Sequence, residues 1–169
     1  ANEIGRIGKS LNIDSREVMD LLVSDKKLNT SAAYMKPGFA YGGSCLPKDV
    51  RALNYFGKIE NLRLPLLESL SNSNEAQIEH AFNQIRNKNF NKIAIIGLSF
   101  KPETDDLRES PSVVLSEKLL GKGYDLKIFD PFIEENKLIG SNKEYIQTKI
   151  PHLSKLMVSE INDLLDEER

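Results

Sequence analysis

The hydrophobic pattern of this chain changes at residues 87–91, and this change limits the possible folds more than any other feature. Before it, apolar side chains recur every three to four positions up to Ile85, which predicts one long helix from about Pro65 to Arg86. After it, residues 92–97 form a short, almost wholly apolar run, as in a strand buried on both faces of a parallel sheet. We therefore predict a mixed α and α/β fold, with a helical domain over residues 1–88 and an α/β domain over residues 89–169.

The second half of the chain has the signals of one βαβ unit. Ser110 and Pro111 suit the N-cap and the first position of a helix, and residues 125–130 are predicted to form a second strand. Weaker patterns predict a helix near residues 134–138 and a last one after Ser159. Two parallel strands leave open edges, so we expect a Rossmann-like sheet that is incomplete in this chain.

The first half reads as helices separated by loops. Residues 4–11 have an apolar helical face, Asp14 suits the N-cap of a second helix, and a third is predicted from Pro47 to about Gly57. The helix over residues 65–86 is longer than a small domain needs to cover its core. We expect this helix and the first one to present an apolar stripe to a second subunit.

Composition excludes several classes of protein. The chain has 169 residues, with 23 basic and 25 acidic side chains, so it lacks the overall basic excess of a nucleic-acid-binding protein. No run approaches the roughly 20 apolar residues that a membrane span needs. One cysteine with two distant histidines cannot form an internal disulfide or a usual structural zinc site. We therefore expect no metal, no membrane, no nucleic acid and a cytoplasmic, reducing setting.

The segment over residues 38–49 is the densest set of chemically useful residues. Its three glycines permit a close approach of backbone to a ligand, and Pro47 favours a helix start just behind Cys45. The helix dipole and Lys48 then favour the thiolate of a catalytic cysteine. Asp49, one turn further on, could reach a water molecule. The alternative is a buried cysteine in a glycine-rich turn, but the glycines, Pro47, Lys48 and Asp49 together favour chemistry.

A second such segment covers residues 97–111, between the first predicted strand and its helix. Open α/β sheets bind ligands at the carboxyl ends of their strands, and Lys101 and Arg108 are cations suited to phosphates. Only Gly97 matches the glycine pattern of a dinucleotide-binding fingerprint, and the alternative is a solvated charged loop. The acids Asp105 and Asp106 beside Arg108 are predicted to be salt-bridged rather than to hold a cation.

Together the two segments resemble a known family. Pro-Gly-Phe-Ala-Tyr-Gly-Gly-Ser-Cys-Leu-Pro-Lys-Asp at 37–49 and Gly-Leu-Ser-Phe-Lys-Pro-Glu-Thr-Asp-Asp-Leu-Arg-Glu-Ser-Pro at 97–111 are similar to the motifs of the UDP-glucose/GDP-mannose dehydrogenase family. These two motifs, together with Asn-Lys-Glu-Tyr at 142–145, are most similar to those of the family's branch that acts on GDP-mannose. The resemblance implies a three-part enzyme: an NAD-binding domain, which this chain lacks, a helical central domain with the dimer interface, and a nucleotide-sugar-binding domain.

The resemblance also implies roles for individual residues. The cysteine that matches Cys45 attacks the aldehyde formed by the first hydride transfer, and the aspartate that matches Asp49 helps to activate water for thioester hydrolysis. The residues that match the family's contacts with the nucleotide sugar are Asn2, Tyr34, Lys36, Phe39, Gly42 and Lys101. The residues that match its contacts with NAD are Lys48 and Arg108. Lys36 stands where the family usually has arginine, so the bidentate fork is lost there.

The function that the resemblance implies is an NAD-dependent, four-electron oxidation of GDP-mannose to GDP-mannuronate by a cytoplasmic homodimer. We expect a preference for GDP over UDP, and no NAD reduction by this chain alone. Two alternatives stay open: a UDP-sugar 6-dehydrogenase of the UDP-glucose type, and a non-catalytic module for dimerisation and ligand binding.

Overall fold

A computed structural model describes residues 1–26, 35–133, 144–146, 148 and 150–165 of the chain. The chain divides into two compact units, Ala1–Ala40 and Tyr41–Arg169, and each is described by itself. The domain boundary after residue 88 stays a prediction. The helix expected near residues 134–138 lies outside the described residues.

The described residues of the first unit form two helices, α1 over Asn2–Ser10 and α2 over Ser15–Val23. Asp14 is the N-cap of α2, as predicted, and its carboxylate accepts a hydrogen bond from the backbone N–H of Arg16 at 2.8 Å. Met19 is buried, whereas most large apolar side chains of both helices are exposed. The unit therefore leaves apolar surface uncovered.

The second unit begins with helices α3, over Leu46–Ile59, and α4, over Pro65–Arg86. The bounds of α4 agree with the predicted ones, and its 22 residues span about 33 Å at 1.5 Å per residue. Ile78 and Phe82 in its second half are buried, while Leu66 in its first turn is exposed. The second half of the helix therefore covers the core of the second unit, and the contact of an apolar stripe with another subunit stays a prediction.

A parallel βαβ unit follows, made of β1 over Lys92–Ile96, α5 over Pro111–Gly121 and β2 over Asp125–Phe129. The register pairs Lys92 with Asp125 and Ile96 with Phe129. Ser110 is the N-cap of α5, as predicted, and its hydroxyl accepts a hydrogen bond from the backbone N–H of Ser112 at 3.2 Å. This arrangement confirms the predicted mixed α and α/β fold.

The core lies around the βαβ unit. One buried cluster consists of Leu98, Leu107, Val113, Ile128, Ile133, Ile146, Ile150 and Leu153. A second buried cluster, made of Phe82, Leu119 and Leu126, joins α4 to the βαβ unit. Strand β1 is less buried than predicted, since Ile96 is 65 % exposed. Within the described residues β1 pairs only with β2, so its second edge and its alternate side chains remain uncovered.

Two short helical turns end the described chain, at Pro151–Ser154 and Ile161–Leu164. The second is a 3₁₀ helix at the place where we predicted a last helix. Glu160 and Asp163 cap it reciprocally, which suits a four-residue turn. No helix in the described ranges combines the length and the apolar character that are required to cross a membrane.

Candidate active site

Cys45 occupies the N-cap position of α3, as its neighbours predict. The helix begins at Leu46, Pro47 lies in its first turn, and the backbone N–H of Asp49 donates a hydrogen bond to the carbonyl of Cys45 at 3.0 Å. The thiol is free and exposed, and its sulfur lies 3.8 Å from the hydroxyl of Ser44. The expectation of a thiol at a helix start is confirmed, and the alternative of a buried cysteine is wrong.

Lys48 and Asp49 lie on the first turn of the same helix. Their side chains are 61 % and 64 % exposed, and 3.8 Å separates Nζ of Lys48 from Oδ1 of Asp49. Such an exposed pair contributes little to stability. Both side chains are therefore accessible to a ligand that approaches Cys45.

The glycines before Cys45 pack directly against the loop that follows β1. A Cβ atom at Gly42 would overlap the carbonyl oxygen of Glu109 and lie 2.7 Å from Cδ of Pro111. Gly43 has a φ of +90°, and a Cβ atom there would lie 2.7 Å from the ring of Phe100. The two sequence segments that we singled out are thus in contact, and two residues without side chains make this contact possible.

Arg108, a cation of this loop, is paired with Asp106. Its Nε and Nη2 atoms donate to the two carboxylate oxygens of Asp106, each at 2.8 Å, which confirms the predicted salt bridge of that acid. These hydrogen bonds raise the pKa of Arg108, and the negative charge of the Cys45 thiolate adds to the increase. Arg108 remains 39 % exposed, so it can attract an anionic ligand to the thiol.

Lys101, the second predicted cation, lies over Phe100, with Nζ 5.4 Å from the centre of the ring. A lysine at this distance from an aromatic face makes a cation–π contact. The same ring packs against Gly43. Lys101 is thereby linked to the backbone that precedes Cys45.

A second link between α3 and this loop is an ion pair between Arg51 and Glu109. Nη2 of Arg51 donates to one carboxylate oxygen at 2.8 Å, and Nη1 donates to the other at 3.3 Å. The pairing raises the pKa of Arg51. Glu109 has a φ of +54°, an uncommon value for a residue with a side chain. The pair therefore joins the helix of Cys45 to the residue directly after Arg108.

Two buried polar side chains fix the loop after β1. The carboxylate of Asp130 accepts hydrogen bonds from the N–H groups of Leu98 and Ser99, from the Ser99 hydroxyl and from the N–H of Phe132, at 2.8–3.0 Å. The hydroxyl of Ser110 donates to the carbonyl of Leu98 at 2.6 Å. Sequence reasoning used Asp130 only as a strand end and missed this role, although a carboxylate directly after a buried strand was a usable signal.

Tyr145 lies beside the same loop. It packs against the larger core cluster, and burial raises its pKa, with further increases from the charges of Glu117, Glu109 and Asp106. The tyrosine belongs to the Asn-Lys-Glu-Tyr segment that resembles the GDP-mannose branch. At least this residue of the segment is thus close to the predicted ligand loop.

The remaining predicted residues lie in the first unit. The amide of Asn2 accepts a hydrogen bond from the N–H of Gly38 at 2.9 Å and donates to the carbonyl of Phe39 at 3.1 Å. Lys36 lines a cavity of about 280 Å³ with Arg16, Met19, Asp20 and Pro37. Tyr34 lies outside the described residues. The structure gives Asn2 a local backbone role, and its contact with a ligand stays a prediction, as do the ligand contacts of Lys36 and Phe39.

Comparison with known proteins identifies relatives over nearly the whole chain. GDP-mannose 6-dehydrogenase of Pseudomonas putida is 53 % identical over 166 residues, which are 98 % of this chain and 38 % of the relative. A crystal structure of a ternary complex of GDP-mannose dehydrogenase from Pseudomonas aeruginosa matches 97 % of this chain and 38 % of its own, with 53 % identity and a TM-score of 0.76. A UDP-glucose dehydrogenase from Pyrobaculum islandicum matches 98 % of this chain and 37 % of its own, with 28 % identity and a TM-score of 0.82.

The chain spans 38 % of the length of its first curated relative. Two models of one family account for most of its residues. Residues 1–76 match the central domain of the UDP-glucose/GDP-mannose dehydrogenase family, and residues 94–160 match its UDP binding domain. The motifs, the fold and these matches agree, and the chain belongs to the UDP-glucose/GDP-mannose dehydrogenase family.

Proposed function

We propose that this chain supplies the nucleophile and part of the nucleotide-sugar site of an NAD-dependent 6-dehydrogenase that converts GDP-mannose to GDP-mannuronate. The observation that supports this most is the exposed thiol of Cys45 at the N-terminus of α3, within electrostatic reach of Arg108. The 53 % identity to a GDP-mannose 6-dehydrogenase supports the choice of substrate. The reaction requires Cys45 as a thiol, which supports a cytoplasmic setting.

The chemistry assigned to Cys45 is covalent catalysis. Its thiolate adds to the carbonyl carbon of the C6 aldehyde and forms a thiohemiacetal, which becomes a thioester when a second hydride is lost. Water then adds to the thioester carbonyl, the C–S bond breaks, and the carboxylate product leaves as the thiolate is restored. Asp49, on the first turn behind Cys45, would accept a proton from that water.

NAD would supply the hydride acceptor, one molecule for each of the two hydrides lost at C6. Lys48 and Arg108 fit an anionic dinucleotide, because both are cations that stay accessible beside Cys45. Their role here is to attract and orient phosphate groups. We assign contacts with the nucleotide sugar to Asn2, Tyr34, Lys36, Phe39, Gly42 and Lys101.

A homodimer is part of the proposal. Helix α3 leaves Leu53, Phe56 and Ile59 exposed, so the second unit still has apolar surface that another subunit could cover. Sedimentation at micromolar concentration should show a dimer. A monomer under these conditions would remove this part of the proposal and leave the chemistry of Cys45 untouched.

A UDP-sugar 6-dehydrogenase is the second candidate. The family model over residues 94–160 describes a UDP binding domain, and the TM-score with the UDP-glucose dehydrogenase structure, 0.82, exceeds the 0.76 with the GDP-mannose dehydrogenase structure. Both candidates use the same thiol chemistry. They differ in the base and in the sugar of the substrate.

The test compares the two nucleotide sugars on this chain. We expect GDP-mannose to bind more tightly than UDP-glucose in titration calorimetry, and to slow the alkylation of Cys45 by iodoacetamide. The Cys45→Ala variant, which should bind but not react, controls for modification elsewhere. Tighter binding and stronger protection by UDP-glucose would favour the second candidate, and alkylation unaffected by either compound would contradict the assigned site.

A further inference from the structure

Asn74 is a polar residue in the apolar row of α4. It lies between Leu70 and Ile78, one turn from each, and its side chain is half-buried. A polar group at such a position costs stability unless it is hydrogen-bonded. Local sequence rules favour an apolar residue there, and departures from these rules concentrate at functional positions.

Both ends of the Asn74 amide bind the main chain of one residue, Tyr41. The N–H of Tyr41 donates to Oδ1 of Asn74 at 2.8 Å, and Nδ2 of Asn74 donates to the carbonyl of Tyr41 at 2.9 Å. A carboxamide has the required donor and acceptor side by side, whereas a carboxylate or a hydroxyl of similar size does not. The helix thereby fixes both the position and the direction of the chain at Tyr41.

Tyr41 stands four residues before Cys45, and Gly42 and Gly43 lie between them. Glycine has the greatest backbone freedom, so a loop built on two glycines needs external fixed points. Helix α3 provides one such point, at its start, and Asn74 provides the other. Between these points the glycines make the contacts with Phe100 and with Glu109, the residue that directly follows Arg108.

We propose that Asn74 is a positioning residue for Cys45: its two hydrogen bonds to Tyr41 hold the glycine loop against residues 97–111 and keep the thiol close to the loop that carries Arg108. The proposal rests on the proposed function only in treating Cys45 as the nucleophile. The proposal predicts that the electrostatic environment of Cys45 depends on the side chain of Asn74, which does not contact Cys45. A residue that merely stabilised α4 would not have this effect.

The experiment measures the charge near the thiol with two reagents in the 169-residue chain. Iodoacetate is anionic and iodoacetamide is neutral, so the ratio of their alkylation rates at one pH reports the cationic surroundings of Cys45. The variants are Asn74→Ala and Asn74→Leu, and the leucine keeps the volume and apolar character of the row. Asn83→Leu is the matched control, because Asn83 lies on the same helix and donates at 3.4 Å to Glu79, away from the loop.

We expect both Asn74 variants to lower the iodoacetate-to-iodoacetamide ratio by about threefold or more, toward the ratio in denaturant, since one nearby charge has an effect of this order. Asn83→Leu should keep the wild-type ratio. Circular dichroism shows whether each variant is folded, and Asn74→Leu remains the test if Asn74→Ala unfolds. A wild-type ratio in folded Asn74→Leu, or an equal loss in Asn83→Leu, would overturn the proposal. Neither result depends on which nucleotide sugar protects the thiol.

Discussion

The two loops that meet near Cys45 are held by different means. The loop over residues 97–111 is tied to the core by side chains that are almost inaccessible, since Asp130 is 6 % and Ser110 is 0 % exposed. The loop over residues 41–45 is held by the half-buried Asn74 and by close packing at two glycines. The thiol that it presents is exposed.

This difference separates stability from reactivity. The loop that presents Arg108 cannot move without breaking buried hydrogen bonds, which are costly to leave unsatisfied. The loop that presents Cys45 can change position at a smaller cost, because its contacts are few and partly solvated. Substitutions under the first loop should therefore mainly lower the stability of the chain, whereas substitutions in or under the second should also change the chemistry of the thiol.

Asp130→Ala should show the largest loss of stability. It removes the acceptor of four hydrogen bonds, and the N–H of Leu98 is left buried without this partner. We expect the free energy of unfolding to fall by about 3 kcal/mol. Urea unfolding followed by circular dichroism measures this. Asp125→Ala, at the exposed start of the same strand, is the control, and equal losses in the two variants would refute the assigned role of Asp130.

Gly42→Ala should be next, and it tests the contact between the loops directly. The new methyl group would overlap the carbonyl of Glu109, so backbone on one side must shift, at a cost of about 2 kcal/mol. The same shift should lower the iodoacetate-to-iodoacetamide ratio at Cys45. Gly121→Ala is the matched control: a Cβ atom there meets nothing within 4 Å, and alanine favours the helix. A Gly42→Ala chain as stable as Gly121→Ala would show that the loops are not in close contact.

Ser110→Ala should have a smaller effect. It removes both the N-cap of α5 and the hydrogen bond to the carbonyl of Leu98, and we expect a loss of about 1–2 kcal/mol. Ser69→Ala removes an exposed helical hydroxyl that donates to the carbonyl of Leu66, and thermal unfolding should change little in that variant. If the two serine variants unfold at the same temperature, the buried hydroxyl does not anchor the loop.

Features that depend on neighbouring residues could be predicted from the sequence. The spacing within α4 indicated its bounds, Ser110-Pro111 indicated the start of α5, and Pro47 indicated the helix start at Cys45. Features that join distant residues could not be predicted in this way. Asn74 and Tyr41 are 33 positions apart, and Asp130 and Leu98 are 32 apart. A polar residue at an apolar position of a helix indicates that its side chain needs a hydrogen-bond partner, but not which residue that partner is. The identity of the partner depends on how α4 packs on the βαβ unit.

The last and smallest effect is a pH dependence that tests how firmly Arg108 is held. The hydrogen bonds from Arg108 lower the pKa of Asp106 below its ordinary value of 3.8, against the opposing effect of burial. The unfolded chain, with the higher pKa, therefore takes up the proton first as the pH falls. The stability from this pair is complete above the unfolded pKa and is lost from about pH 5 down to about pH 3 and below.

Asp106→Asn should make the fall of the unfolding free energy between pH 5 and pH 3 shallower, as measured by urea unfolding. Arg108→Gln should do the same, and the double variant should add nothing further, because one pair is removed in all three. If the effects of the single variants add, the two side chains contribute to stability independently, and Arg108 is free enough to leave Asp106 for an anionic ligand.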